Sequence, residues 1–200
     1  MTTPHPTITD LNEARDAFES SEPRDLFYRA ATQLIELAIA GQSALSLGEA
    51  IAVLLQTWNK AYYRFHTFDQ DHLCQIEDLI AEHEGDFQTL RSRTIETCSD
   101  SDLVQCTTLF SVFEAVLGPV GAAKTLHLMA PEFFPLWDRK IANAYGLPLK
   151  KVGANAALYW QLMLIAKDHC AHFGGRLTLG RNPLKAIDEY NYCKFTLECI

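Results

Sequence analysis

No stretch of this 200-residue chain reaches the roughly 18 consecutive apolar residues that cross a bilayer; the longest, 156–166, is broken by Gln161. The first ten residues, MTTPHPTITD, lack both a basic segment and an apolar one, so no secretion signal is expected. Six cysteines in a chain with no export signal argue against a disulfide framework, and Cys193 and Cys199 have no close-spaced partners with which to form an iron–sulfur quartet. The six are expected as reduced thiols of a cytoplasmic protein. His169, Cys170 and His172, even with Cys193 and Cys199, match no zinc spacing, and no metal or other cofactor is expected. No run alternates apolar and polar residues as a half-buried strand does, and no repeat or low-complexity tract appears. Positive charge is short too: 17 Lys and Arg stand against 25 Asp and Glu, a net charge of −8. That balance disfavours an ordinary nucleic-acid binder, but it is uneven. Residues 1–117 carry 7 basic against 19 acidic side chains, and residues 118–200 carry 10 against 6. A local basic face remains open to phosphate.

What is present is globular composition, 48% hydrophobic and 21% charged, with helical periodicity nearly throughout. Leu26, Phe27, Ala30, Ala31, Leu34, Ile35, Ala38 and Ile39 form a helical stripe that Gly41 stops. Ser46 with Glu49 reads as a capping box for a helix carried through Leu54, Trp58, Tyr62 and Phe65. Asp69 or Asp71 opens the next, a shorter one runs from Phe87 to Cys98, and Ser99 with Asp102 opens an amphipathic helix ending at Gly118-Pro119. Residues 153–173 are apolar around most of the helix circumference and read as a central core helix, and Asn182-Pro183 begins the last one. The chain is therefore expected to be all-α, a compact multi-helix domain over 23–200 after a loose arm over 1–22.

One segment departs from plain amphipathic helix, GPVGAAKTLHLMAPEFFPLWDRKIANAYG over 118–146. A tight Gly-Pro-Val-Gly turn is expected to join a helix ending at Leu117 to one starting near Ala122. Small residues there let helix N-terminal amides approach an anion such as phosphate. Lys124 stands near the start of that helix, where a cation is unfavourable unless a phosphate or a chemical task holds it. An aromatic bend follows, Phe133, Phe134, Pro135 and Trp137, and then Asp138 at the start of a further helix.

These residues resemble the helix–hairpin–helix DNA glycosylases, whose Gly-hydrophobic-Gly hairpin precedes a lysine and then an aspartate opening a helix. The matching positions are Gly118, Val120, Gly121, Lys124 and Asp138, with Ile141 and Gly146 beyond; the match covers 117–146. It is closest to short bacterial 8-oxoguanine-glycosylase-like proteins. The block Trp58-Asn59-Lys60-Ala61-Tyr62-Tyr63-Arg64-Phe65 is similar to phage-defence glycosylases that excise glucosylated hydroxymethylcytosine. The turn here is one residue longer before the lysine than is usual, and Asp138 follows Lys124 by only fourteen residues.

The resemblance implies a helix–hairpin–helix motif and a monomeric enzyme on double-stranded DNA, with no membrane contact. It would flip and excise a modified base, either glucosylated hydroxymethylcytosine or an oxidised purine, and take part in base excision or antiviral defence. Asp138 would stabilise the positive charge that builds on the sugar, or activate water. Lys124 would attack the anomeric carbon or support Asp138. Gly118, Val120 and Gly121 would meet phosphate. Trp137, Phe134, Trp58, Tyr62 and Tyr63 would supply pocket walls and a wedge, with Asn59, Arg64 or His127 as polar partners. Each has a plainer reading: Asp138 as a helix cap, Lys124 as a solvated lysine, the aromatic residues as core, and His127 as an interior hydrogen-bonded histidine. A DNA-binding module without catalysis and an acidic helical adaptor also fit this composition.

Overall fold

Thr7 and Asp10 cap each other at the start of the first helix. The Thr7 hydroxyl accepts the Asp10 amide at 3.2 Å, and the Asp10 carboxylate accepts the Thr7 amide at 2.8 Å. In the computed structural model, which describes residues 5–23 and 25–200, this box opens α1 (Ile8–Ser21). Leu11, Ala14 and Phe18, at i, i+3 and i+7, are buried against the last long helix of the chain. The loose arm expected over 1–22 is thus corrected from residue 8 onward; residues 1–4 lie outside the described residues. The mixed polar side chains hid a stripe only three residues wide. Burying a Leu and a Phe is worth about 1.5–3 kcal/mol each, enough to dock so short a helix.

Ten more α-helices follow among the described residues, and no strand. α2 (Asp25–Ile39) packs on α3 (Leu47–Trp58), α3 on α5 (Gln70–Glu82), and α4 (Lys60–Tyr63) lies between these two in the chain. α6 (Glu84–Arg91) and two short 3-10 turns lead to α7 (Leu103–Met129). α8 (Arg139–Ala144) follows, then α9 (Ala156–Phe173), packed on α7, α10 (Gly175–Leu179), and α11 (Pro183–Tyr192), packed on α1. The expected caps form where the sequence places them. Ser46 and Glu49 close their box, Asp69 rather than Asp71 caps α5, and Asn182 accepts the Leu184 and Lys185 amides at 2.9 and 3.2 Å. On α2 the buried face is Tyr28, Ala31 and Ile35, so part of the expected stripe, Leu26 at 56% exposure among it, faces outward.

α7 forms the axis of the core, burying Leu109, Phe110, Phe113 and Leu117 in its first half. With the 3-10 turn before it, α7 makes up the one segment among the described residues, 100–129, long and apolar enough by length and composition to cross a membrane. A core helix enclosed by neighbours carries that same pattern. Its course breaks at a single residue, Gly118, with φ 68° and ψ 169°. Pro119 follows at once as the first residue of the second half, since its missing N–H has no partner to lose there. The turn expected over 118–121 is therefore compressed into one glycine, and residues 119–129 continue as helix with Gly121 inside it.

Candidate functional site

The break at Gly118 leaves carbonyls of the preceding turn without helical partners, and the α3–α4 junction supplies them. Asn59 Nδ2 donates to Leu117 O at 3.2 Å, and Tyr62 OH donates to Val116 O at 2.5 Å. Asn59 is buried, ends α3, and divides it from α4, so the single helix expected through Phe65 becomes two. Phe65 falls outside both, 84% exposed. Asn59 and Tyr62 were expected at a base edge and a pocket wall; both hold the break in α7, and both also line a groove described below.

Asp138 sits in extended backbone (φ −135°, ψ 178°) and caps α8, its Oδ1 accepting the Ile141 amide at 2.9 Å. The capping role is thus present, and the carboxylate is only half-buried, with one edge turned to a cavity. Lys124 lies in the second half of α7, 7% exposed, where its ammonium donates to the Trp58 carbonyl and lies 5.8 Å from the Trp58 ring centre. Both side chains border two spaces. One is a cavity of about 180 Å³ enclosed further by Trp58, Trp137, Glu22 and Asp188. The other is an open groove of about 580 Å³ along Tyr62, Phe65, His66, Gly118, Pro119, Val120, Arg139 and Lys140. Trp58, Lys124 and Asp138 are common to both and form the boundary between them. The groove carries Lys124, Arg139 and Lys140 against one carboxylate, Asp138, in a chain whose net charge is −8.

The cavity's far wall comes from α11 and α1, which sequence reasoning did not connect with the site. Lys185 Nζ is 3.1 Å from Asp25, 3.5 Å from Asp188 and 3.7 Å from Glu189, and it lies over the rings of Phe18, Tyr28 and Trp58 at 4.4, 4.7 and 5.4 Å. Burial works against its charge, but the three carboxylates outweigh burial and hold its pKa above the usual lysine value. Burial pushes the Asp188 carboxyl up to about 6; Lys185 and Lys124 pull it down, while Asp138 and Glu189 add to the rise. Tyr192 OH donates to Glu22 at 2.8 Å, closing the polar side. The only signal for this wall in the sequence is a cluster of charge, Lys185, Asp188 and Glu189, one helical turn apart on an otherwise apolar helix.

The remaining candidates separate clearly. Trp137 lines the cavity, 1% exposed, and its Nε1–H has no hydrogen-bond partner among the described residues. Val120 and Gly118 flank the groove. Gly121 does not present its backbone to solvent: it is buried, and a Cβ there would lie 2.6 Å from Asn59 Nδ2, so the glycine permits helix contact rather than phosphate approach. Phe134 is fully buried in the core beside Phe133 and Tyr159 and borders neither space. Tyr63 and Arg64 lie beyond the groove; Tyr63 packs edge-on to Tyr62 and Phe68, and Arg64 is exposed. Among the described residues no group of three or more His, Cys, Asp and Glu is placed to hold a metal ion.

His127 is the interior histidine of the two readings. It is fully buried, its Nδ1–H donates to Phe134 O at 2.7 Å, and its Nε2 accepts Tyr28 OH at 2.9 Å. A carbonyl only accepts, so Nδ1 carries a proton, and a ring kept neutral by burial leaves Nε2 as the acceptor. Burial lowers its pKa from 6.5 to about 4. The unfolded chain therefore takes up this proton first. The stability is whole above pH 6.5 and is lost as pH falls toward 4, by about 2 kcal/mol at pH 5. Denaturant unfolding at pH 7 and pH 5 should show that loss in the wild type, and His127→Gln should lack this share of it. Equal pH slopes for the two proteins would refute the assignment.

No family model matches this chain, and no curated protein and no solved structure matches it either.

Proposed function

We propose that this chain is a cytoplasmic, monomeric DNA glycosylase that flips a modified base of duplex DNA into the cavity and hydrolyses its N-glycosidic bond, leaving an abasic site. The observation that carries the reading is the shared boundary: Lys124 and Asp138 stand where a cavity of about 180 Å³ meets a groove rich in cations. Drug-sized ligands occupy pockets of about 300 Å³ and more, so the cavity suits a smaller flat molecule such as one base. A base held there between the Trp58 and Trp137 rings stacks on aromatic faces. Its sugar then lies at the boundary and its phosphates in the groove, beside Arg139 and Lys140.

In that arrangement Asp138 faces the anomeric carbon. As the bond to the base lengthens, positive charge grows on the sugar, and a carboxylate already fixed by the Ile141 amide stabilises it or takes a proton from the attacking water. Lys124, held by the Trp58 carbonyl, supplies a fixed positive charge toward the flanking phosphate. A substituent such as a glucosyl group exceeds the cavity and would extend into the groove. The Glu22 carboxylate favours a base whose edge presents an N–H donor.

Purified protein incubated with T-even-type phage DNA, ordinary DNA and duplexes holding 8-oxoguanine, followed by assay for free base and abasic sites, tests the reading. Release from one of the modified DNAs is the expected result, and borohydride should trap no covalent adduct, since Lys124 acts in support. Absence of base release from all three refutes the reading. An adduct lost in Lys124→Ala would make the lysine the nucleophile.

The groove makes a separate prediction. Arg139→Ala and Lys140→Ala should each weaken binding to any duplex roughly tenfold near physiological salt. Each should also flatten the plot of log affinity against log salt by about one unit, because each phosphate contact releases a counterion. An unchanged salt slope in both variants removes the groove from the DNA path.

A further inference from the structure

Three carboxylates share the one ammonium of Lys185, and they are unequally served. Asp25 makes the closest approach, at 3.1 Å, and Glu189 has a second cation in Arg181. Asp188 stands 3.5 Å from Lys185, and of the three it alone lines the cavity. The groups facing it there are Lys124 of α7, Asp138 at the head of α8, and Glu22 and Tyr192 at the ends of α1 and α11. The cavity thus holds two aspartates, one at the groove boundary and one on the inner wall, where the base rather than the sugar would lie.

We propose that Asp188 is the proton donor of this site, giving its carboxylic proton to the base as the bond between base and deoxyribose breaks. The inference rests on the reading of the chain as a DNA glycosylase. A neutral base is a poor leaving group because it departs with the electron pair of the bond, and protonation removes that difficulty. The C1′–N bond breaks with its pair on the base, and the proton of Asp188 passes to the base. Water adds its oxygen to C1′ and its proton to Asp138. After release Asp138 returns a proton to solvent and Asp188 regains one, so one water is consumed and no other reactant is needed. Burial and the nearby charge of Asp138, which keep the Asp188 carboxyl near 6, supply the proton under mild conditions, and a base that displaces water from the cavity strengthens the same effect.

The test is single-turnover base release between pH 5.5 and 8.5 by the wild type and Asp188→Asn. The probes are T-even-type phage DNA, an 8-oxoguanine duplex and a 7-methylguanine duplex, whose modified base is already cationic and departs without a proton. The wild-type rate on the neutral bases should fall with rising pH, approaching tenfold per unit. Asp188→Asn should lose on the order of 10²–10³ in rate on those bases, lose the alkaline fall as well, and lose less than tenfold on 7-methylguanine. Thermal unfolding of the variant confirms that it folds. A wild-type rate flat across this range overturns the proposal, as does a variant that slows neutral and cationic bases alike. Base release by the wild type with undiminished rates in Asp188→Asn overturns the proton donor alone; no release from any probe overturns the glycosylase reading and this inference with it.

Discussion

Replacing Asp138 by asparagine should reduce base release by roughly 10³-fold or more while leaving the protein folded and able to bind duplex DNA. The side chain does two things that this substitution separates. As a cap it offers an oxygen to the Ile141 amide at 2.9 Å, and asparagine caps helices about as well as aspartate does. As a charge it faces the cavity and, in the proposed reaction, the cation that would develop on the sugar. Losing fixed charge that acts mainly in the transition state lowers the chemical step far more than it lowers affinity. Single-turnover release, duplex affinity and thermal unfolding of the same preparation distinguish the two roles. A variant that excises at the wild-type rate leaves Asp138 as a cap and nothing more.

The largest expected effect on stability is at Gly121. A Cβ at this position would stand 2.6 Å from Asn59 Nδ2 and 2.8 Å from Leu117 Cβ, distances that no relaxed structure tolerates. Alanine would have to push Asn59 aside, and with it the hydrogen bond from Asn59 to Leu117 O that satisfies the break in α7. Valine adds two methyl groups to the same contact. Gly121→Val should cost about 3 kcal/mol or more, and Gly121→Ala roughly half of that. For a chain of this size the valine variant should melt some ~6–12 °C lower. Calorimetry decides, and a valine variant as stable as the wild type would mean that Asn59 is not held between α3 and α7. Any loss of DNA binding in this variant should track its loss of folded protein, since the glycine serves packing rather than phosphate.

Helix identity was legible from local chemistry. Capping pairs such as Ser46 with Glu49 and Asn182 with Pro183 act over three or four residues, so the chain declares them wherever it folds. The break at Gly118-Pro119 was legible for the same reason, although its shape was not. Glycine and proline announce where a helix stops; the partners of the freed carbonyls decide whether a loop is needed. Here Asn59 and Tyr62, more than fifty residues earlier in the chain, take those carbonyls, and the expected turn shrinks to one residue. α1 escaped notice because its apolar stripe of Leu11, Ala14 and Phe18 has no strength until α11 covers it.

The candidate site divides in the same way. Lys124, Trp137 and Asp138 lie within fifteen residues of one another, and their unusual placement on a helix start and an aromatic bend drew attention by itself. The inner wall of Glu22, Asp188 and Tyr192 comes from α1 and α11, at opposite ends of the chain, and only their packing brings it to the cavity. His127 is one turn on from Lys124 and only about 60° around the helix from it, yet it is bonded in the core to Tyr28 and Phe134, because the neighbours packed at each level settle what is inside. Residue type and spacing determined by themselves that this chain is helical, where the helices capped by Ser46, Asp69 and Asn182 begin, and that 118–146 is unlike the rest. The tertiary structure decided which aromatic and polar groups face a cavity and which fill the core, because burial and charge pairing depend on neighbours that the chain supplies from far away.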